Sequence, residues 1–138
     1  MRLLITDPTQ VVADHTDVTS LQAEDESGGF GILAGHADLL TVLPASVVSW
    51  RHADGKHGYC AVRRGVLTVR DGQQIAIATR EARRGDDLDA LEASVLVQFR
   101  ADAEAERTGR VEATRLHTEA IRRIVEALRP ERQAGGGV

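Results

Sequence analysis

Cysteine, lysine, aromatic residues and long apolar runs are all scarce in this chain of 138 residues, and each scarcity closes off a class of protein. The single cysteine, Cys60, has no partner for an internal disulfide, which fits a reducing compartment. Lys56 is the only lysine among 17 basic residues, a bias we read as genomic base composition rather than function. The formal net charge is −4, so nucleic acid is not an expected partner. No apolar run approaches the ~20 residues that a bilayer-spanning helix needs. The apolar part of the stretch Met1 to Pro8 is too short for a signal peptide. Direct membrane insertion is therefore not expected, and any membrane association has to come through partners.

Chemistry-bearing constellations are missing as well. There is no Ser-His-Asp arrangement, no nucleophilic cysteine context and no metal-ligand spacing, so no catalytic residue, cofactor or metal is assigned. The histidines are scattered as His15, His36, His52, His57 and His117. His52 and His57 flank the Asp54-Gly55 turn and could share a metal, although surface residues of a hairpin are the better reading. The acidic clusters Glu24-Asp25-Glu26 and Asp86-Asp87-Asp89 read as turn and helix-cap residues rather than acid/base pairs.

What the chain does have is 42% hydrophobic residues, enough for a core without disulfides, in the length of one domain or of one small domain with an appendage. Up to residue 85 the apolar residues fall in short runs: Leu3 to Thr6, Val11-Val12, Val18 to Ala23, Val47 to Trp50, Tyr59 to Val62, Val66 to Val69, and Ile75 with Ile77. Several alternate apolar and polar, as half-buried strands do, and they are punctuated by Asp7-Pro8, Asp54-Gly55 and Asp71-Gly72. Short strands at roughly 8–12-residue spacing predict a two-sheet β-sandwich over residues 1–85. From Asp86 the period changes. Asp86 or Asp87 can cap a helix, and Leu88, Leu91, Val95, Phe99 and Ala103 form one helical stripe. Thr108-Gly109 is a plausible break, and a second stripe runs through Val111, Leu116, Ala120, Ile124 and Leu128 to a stop at Pro130. The expectation is a two-helix hairpin over 86–130 and a disordered tail over 131–138. One long, kinked helix is the alternative, because a single glycine costs only about 1 kcal/mol inside a helix.

The stretch Gly28 to Leu43 is the most distinctive. Four glycines, Gly28, Gly29, Gly31 and Gly35, alternate with large apolar residues. A tight loop offering apolar side chains and free peptide groups to a partner would have this composition; a strand with bulges is its commoner meaning. It is not a phosphate loop, since neither Gly-x-Gly-x-x-Gly nor a Gly-Lys-Ser/Thr ending is present.

The run Gly31-Ile32-Leu33-Ala34-Gly35-His36-Ala37-Asp38-Leu39-Leu40-Thr41 resembles the signature of the epsilon subunit of rotary F-type ATP synthases, Gly-Ile-x-Pro-Gly-His-Ala-Pro-Leu-Leu-Thr. A second block follows in the right order: Gly65-Val66-Leu67-Thr68-Val69 with Asp71-Gly72, then Ala78-Thr79-Arg80-Glu81-Ala82 and Asp87-Leu88-Asp89. Ala34 and Asp38 stand where the family has prolines. These departures, with Ser46 to Arg51, Phe99 to Glu106 and Leu128-Arg129-Pro130, are similar to the divergent branch encoded in alternate operons, the N-ATPases.

The resemblance implies an N-terminal flattened two-sheet β-sandwich followed by a C-terminal two-helix hairpin, in a non-catalytic rotor subunit of the central stalk. Its sandwich would dock on the gamma subunit, and Gly29, Phe30, Gly31, Ile32, Gly35 and His36 would form a loop at the end that meets the c-ring. It would couple the two during proton or sodium transport, at the cytoplasmic face of the bacterial inner membrane, as a peripheral component. The C-terminal helices would regulate hydrolysis, with alpha and beta subunits as further partners. Some members bind ATP through Leu-Asp-x-x-Arg-Ala at the start of the first helix. Here Leu88-Asp89-Ala90-Leu91-Glu92-Ala93 puts an acid in place of the arginine, so ATP is not expected to bind. A free-standing sandwich adaptor for another protein is the rival from a different class.

Overall fold

In the computed structural model, which describes residues 1–128, ten strands build two five-stranded sheets. The strands are β1 (Arg2–Thr6), β2 (Val11–His15), β3 (Val18–Asp25), β4 (Gly28–Leu33), β5 (Leu39–Leu43), β6 (Ser46–His52), β7 (His57–Arg63), β8 (Gly65–Arg70), β9 (Gln74–Ala78) and β10 (Glu81–Gly85). One sheet has the order β2-β1-β9-β8-β5 and the other β10-β7-β6-β3-β4. Only the β1–β9 pair is parallel; the remaining neighbours run antiparallel.

The alternation has the physical cause expected of a sandwich, in which each sheet buries one face. Leu3 and Ile5 of β1, Leu67 and Val69 of β8, and Ile75 and Ile77 of β9 point into the core from one sheet. Leu21 of β3, Ile32 of β4, and Val48 and Trp50 of β6 meet them from the other. Trp50 is the largest side chain in this core and is 1% exposed.

Beyond β10, Asp87 caps a helical run by accepting the amide of Asp89 at 3.0 Å, as its acidic cluster predicts. The run consists of α1 (Leu88–Ala90), a π-helical stretch (Leu91–Leu96) and α2 (Val97–Leu128). Leu91 and Phe99 pack on Ala61 of β7, with Val47, Tyr59 and Val95 around them. The predicted stripe assumed an α-helical period throughout. The π-helical stretch adds a residue to one turn, so Leu96, five residues after Leu91, is buried as well.

The sandwich followed by helix is as expected, but the hairpin is not. A single helix, α2, runs through Thr108 and Gly109. One glycine costs about 1 kcal/mol, and Arg, Glu and Ala on either side are good helix formers, so nothing forces a break. Two compact units divide the chain, residues 1–103 and 104–138. Among its described residues the second unit is the remainder of α2, with Val111, Leu116, Ile121, Ile124, Val125 and Leu128 exposed. The expected helix stop at Pro130 and the tail over 131–138 lie outside the described residues.

Candidate partner-binding end of the sandwich

The glycine-rich signature resolves into three pieces. Gly28–Leu33 is β4, an edge strand paired to β3 from Ser20↔Leu33 to Asp25↔Gly28. Residues 34–38 connect it to the other sheet, and Leu39–Leu43 is β5, paired to β8. The expectation that Gly29, Phe30, Gly31 and Ile32 belong to a loop is corrected: all four are strand residues, because the alternation of small outward and large inward side chains satisfies a half-buried edge strand. Ile32 is fully buried in the core and Phe30 is half-buried against it. Only Gly35 and His36 of the predicted set lie in the connection itself.

Gly29 and Gly31 point outward and are exposed. A Cβ at either would meet nothing nearer than a backbone oxygen at 4.0 and 3.8 Å respectively, so packing within the chain does not require glycine there. The outer face of this edge strand is therefore bare backbone at Gly29 and Gly31, followed on the same face by the exposed Leu33.

The connection is pinned by backbone. The amide of Gly35 donates to the carbonyl of Gly72 in the β8–β9 turn at 2.9 Å, and the amide of His36 donates to the carbonyl of Leu33 at 3.1 Å. Asp38 Oδ1 accepts the amide of Asp71 at 3.0 Å. Gly72 has a φ of +62°, and a Cβ there would lie 2.6 Å from the Cα of Gly35, so the two turns approach as closely as they do only because Gly72 has no side chain. His36 Nδ1 lies 2.7 Å from the carbonyl of Ala37, to which it donates. At the far end of β4, Asp25 ties the β3–β4 turn to β5. Its carboxylate accepts the Ser27 amide at 2.9 Å and the Thr41 hydroxyl at 2.8 Å, and hydrogen bonds from Ser27 and then Thr41 hold its carboxyl below the usual range.

Strand registers place the 34–38 connection, the β8–β9 turn, the β2–β3 turn and the end of β6 at one end of the sandwich. Residues Asp38, Asp71 and Gly72 belong to the construction of that end; the sequence marks Asp71-Gly72 as a turn and Asp38 only as a departure from the family's proline. His52 and His57 do not come together. His57 pairs across from Arg51 and stacks on Tyr59 with ring centroids 6.2 Å apart, whereas His52 turns to Asp17.

Residues 1–85 match the family model of the ATP synthase delta/epsilon chain β-sandwich domain. The chain belongs to that family. The "ATP synthase epsilon chain 2" of Paraburkholderia xenovorans is 43% identical over 132 residues, covering 96% of this chain and 95% of that one. A second "ATP synthase epsilon chain 2", from Cereibacter sphaeroides, is 43% identical over 128 residues, covering 93% and 88%. Both relatives extend well past the sandwich into the helical region, and both are second copies by name, in keeping with the divergent branch that the motifs resemble. A chain of the Euglena gracilis mitochondrial ATP synthase OSCP/F1/c-ring structure matches with a TM-score of 0.57 at 22% identity, covering 67% of this chain and 59% of that chain. A chain of the Tetrahymena thermophila mitochondrial central stalk/c-ring structure matches with a TM-score of 0.52 at 16% identity, covering 60% and 65%. At these identities the structures speak for the fold alone. Epsilon chains are subunits of ATP synthase, and among the described residues no helix is long and apolar enough to cross a membrane.

Proposed function

We propose that this chain is a rotor subunit of the central stalk, that its sandwich docks on the gamma subunit, and that the end bearing Gly35 and His36, with the outer face of β4 at Gly29 and Gly31, meets the c-ring. In this role it carries no catalysis of its own. It couples gamma to the ring during proton or sodium transport and sits peripherally at the cytoplasmic face of the bacterial inner membrane. The observation that carries the reading is the bare backbone at Gly29 and Gly31 on the outer face of β4, with the exposed Leu33 beside it, next to a connection fixed by backbone hydrogen bonds. The fold does not need glycine at positions 29 and 31, so the missing side chains leave room for something outside the chain. Phe30 and Ile32 support this surface from within and do not form it.

Gly31→Arg tests the assignment in the reconstituted synthase. The side chain would point into solvent in the free subunit, leaving its unfolding midpoint unchanged, while ATP-driven ion pumping falls about tenfold or more. Unchanged pumping would refute a c-ring contact at β4.

The C-terminal helical region is proposed to restrain hydrolysis, through alpha and beta subunits. Ending the chain after Ala103 keeps Leu91, Leu96 and Phe99 in place and removes residues 104–138. ATPase activity of the complex should then rise, and an unchanged rate would count against regulation. Glu92 is exposed in the π-helical stretch. Its charge opposes a nucleotide phosphate, so amide exchange across residues 88–96 should be the same with and without ATP.

A further inference from the structure

One cluster in the sandwich is left without a role by the rotor reading. His15 ends β2, Asp17 lies in the β2–β3 turn and His52 ends β6. One ligand atom from each lies within 4.8 Å of the other two. His52 Nδ1 donates to Asp17 Oδ1 at 2.8 Å, and its Nε2 accepts the indole N–H of Trp50 at 3.1 Å, so the neutral ring carries its proton on Nδ1. The His15 ring meets His52 edge-on, with centroids 4.7 Å apart. Its Nε2 is buried and has no hydrogen-bond partner among the described residues. A buried polar atom left unpartnered needs an explanation.

We propose that His15, Asp17 and His52 form a binding site for a borderline divalent cation such as Zn²⁺ or Ni²⁺. Two imidazole nitrogens and one carboxylate oxygen are a donor set that suits these ions and does not suit Mg²⁺ or Ca²⁺, which take oxygen ligands. Ligand atoms around a tetrahedral ion at ~2.0–2.1 Å stand ~3.4 Å apart. The three ligand atoms already lie within 4.8 Å of one another, near that spacing. The unpartnered, buried Nε2 of His15 is the donor atom that such an ion would satisfy. Arg84 of β10 lies over Trp50 and Asp14 of β2 is engaged by Arg2, which leaves Asp17 as the carboxylate facing both rings.

When the ion takes His52 Nδ1 in place of the hydrogen bond to Asp17, the ring's proton moves to Nε2. The bond from nitrogen to metal forms, the Nδ1–H bond is lost and an Nε2–H bond replaces it, with no net proton released. Trp50 then faces a donor instead of an acceptor. Because Trp50 is the only tryptophan, its emission reports on the site directly. An ion here would clamp the β2–β3 turn to the end of β6, at the same end of the sandwich as Gly35 and Gly72. The proposal needs nothing from the rotor assignment, since it concerns the isolated subunit.

The test is titration of the full-length, metal-stripped chain with ZnCl₂ and NiCl₂, followed by calorimetry and Trp50 fluorescence. We expect one saturable equivalent, a shift of Trp50 emission with Zn²⁺, quenching with Ni²⁺, no response to Mg²⁺, and weaker binding as the pH falls through the imidazole range. His15→Gln, and separately the exposed Asp17→Asn, should each lower affinity about tenfold or more. Circular dichroism of both variants confirms that they are folded, and the asparagine keeps the shape of the turn. Absence of saturable binding would overturn the proposal. So would binding that persists in both variants with Trp50 unaffected, because the ion would then be held by His36, His57 or His117.

Discussion

Replacing Gly72 by alanine should destabilise the sandwich by about 3 kcal/mol, and the figure can be built from three parts. A residue with a Cβ at φ +62° pays roughly 1 kcal/mol for the left-handed conformation. The added Cβ would lie 2.6, 2.9 and 3.0 Å from the Cα, N and C atoms of Gly35, all backbone, so no side chain can swing aside and one of the two turns has to move. That movement stretches the Gly35 amide to Gly72 carbonyl bond, at 2.9 Å, and the Asp71 amide to Asp38 carboxylate bond, at 3.0 Å. Each is worth about 1 kcal/mol net. Gly35→Ala is the matched control. Its φ of +86° carries the same conformational cost, but a Cβ there meets nothing within 4 Å, so it should lose only about 1 kcal/mol. Urea unfolding of the full chain, read by the buried Trp50, measures both. A difference of about 2 kcal/mol between the variants is the contribution of the close approach. Equal losses would mean that the two turns are not held together as described, and the account of a rigid partner-facing end would fail with them.

Phe99→Ala removes a ring that is 1% exposed and packed on Ala61 and Leu91. It should cost about 3–4 kcal/mol and abolish amide protection over residues 91–103 in hydrogen exchange. Gly109→Ala should raise helicity and stabilise α2 by about 1 kcal/mol, because a Cβ there meets open space, and far-UV circular dichroism on heating would reveal it. Burial pushes the Cys60 thiol up to about 11 from an ordinary value of 9.0. Between those two pH values the unfolded chain gives up its thiol proton while the folded chain keeps it, so stability falls as pH rises, by about 1.4 kcal/mol per pH unit. Denaturation curves of Cys60→Ala should lack this fall, and at pH 8 the native thiol should resist a disulfide reagent that modifies it in urea.

Strands that bury one face could be read from the sequence because their side chains obey a period of two, as Leu3 and Ile5, Leu67 and Val69, and Ile75 and Ile77 do. β10 obeys no such rule. Glu81, Ala82, Arg83, Arg84 and Gly85 form a strand because β7 offers its edge from Arg63 to Tyr59, and no local pattern encodes that offer. The helix failed in the opposite sense. Thr108-Gly109 supplied a local signal for a break, but its cost of about 1 kcal/mol is smaller than the propensity of the residues around it. Leu96 was missed because a π-helical turn shifts the phase by one residue, which no α-helical stripe anticipates. The histidine cluster was hidden for a third reason. Its members are single residues in three segments, and only the register that sets Val18 against His52 brings them together.

The signature connection joins these strands of reasoning. The family sequence has proline on either side of Gly-His-Ala, and proline fixes φ at the cost of an amide donor. This chain has Ala34 and Asp38 there, so the backbone from 34 to 38 is not restrained by rings. It is held by tertiary contacts, and the one made by Asp38 needs a side-chain acceptor that proline does not have. Asp38 accepts the Asp71 amide, Gly35 donates to Gly72, and Gly72 admits the approach by lacking a Cβ. Proline restrains locally and Asp38 restrains through a tertiary contact, and the two kinds of restraint behave differently. Proline stiffens a loop in the unfolded and folded chain alike, whereas hydrogen bonds to the β8–β9 turn exist only once both sheets have formed. The connection in this chain should therefore become ordered together with the sandwich, and its rigidity should be lost by substitution at Asp71-Gly72 as readily as by substitution within the signature itself.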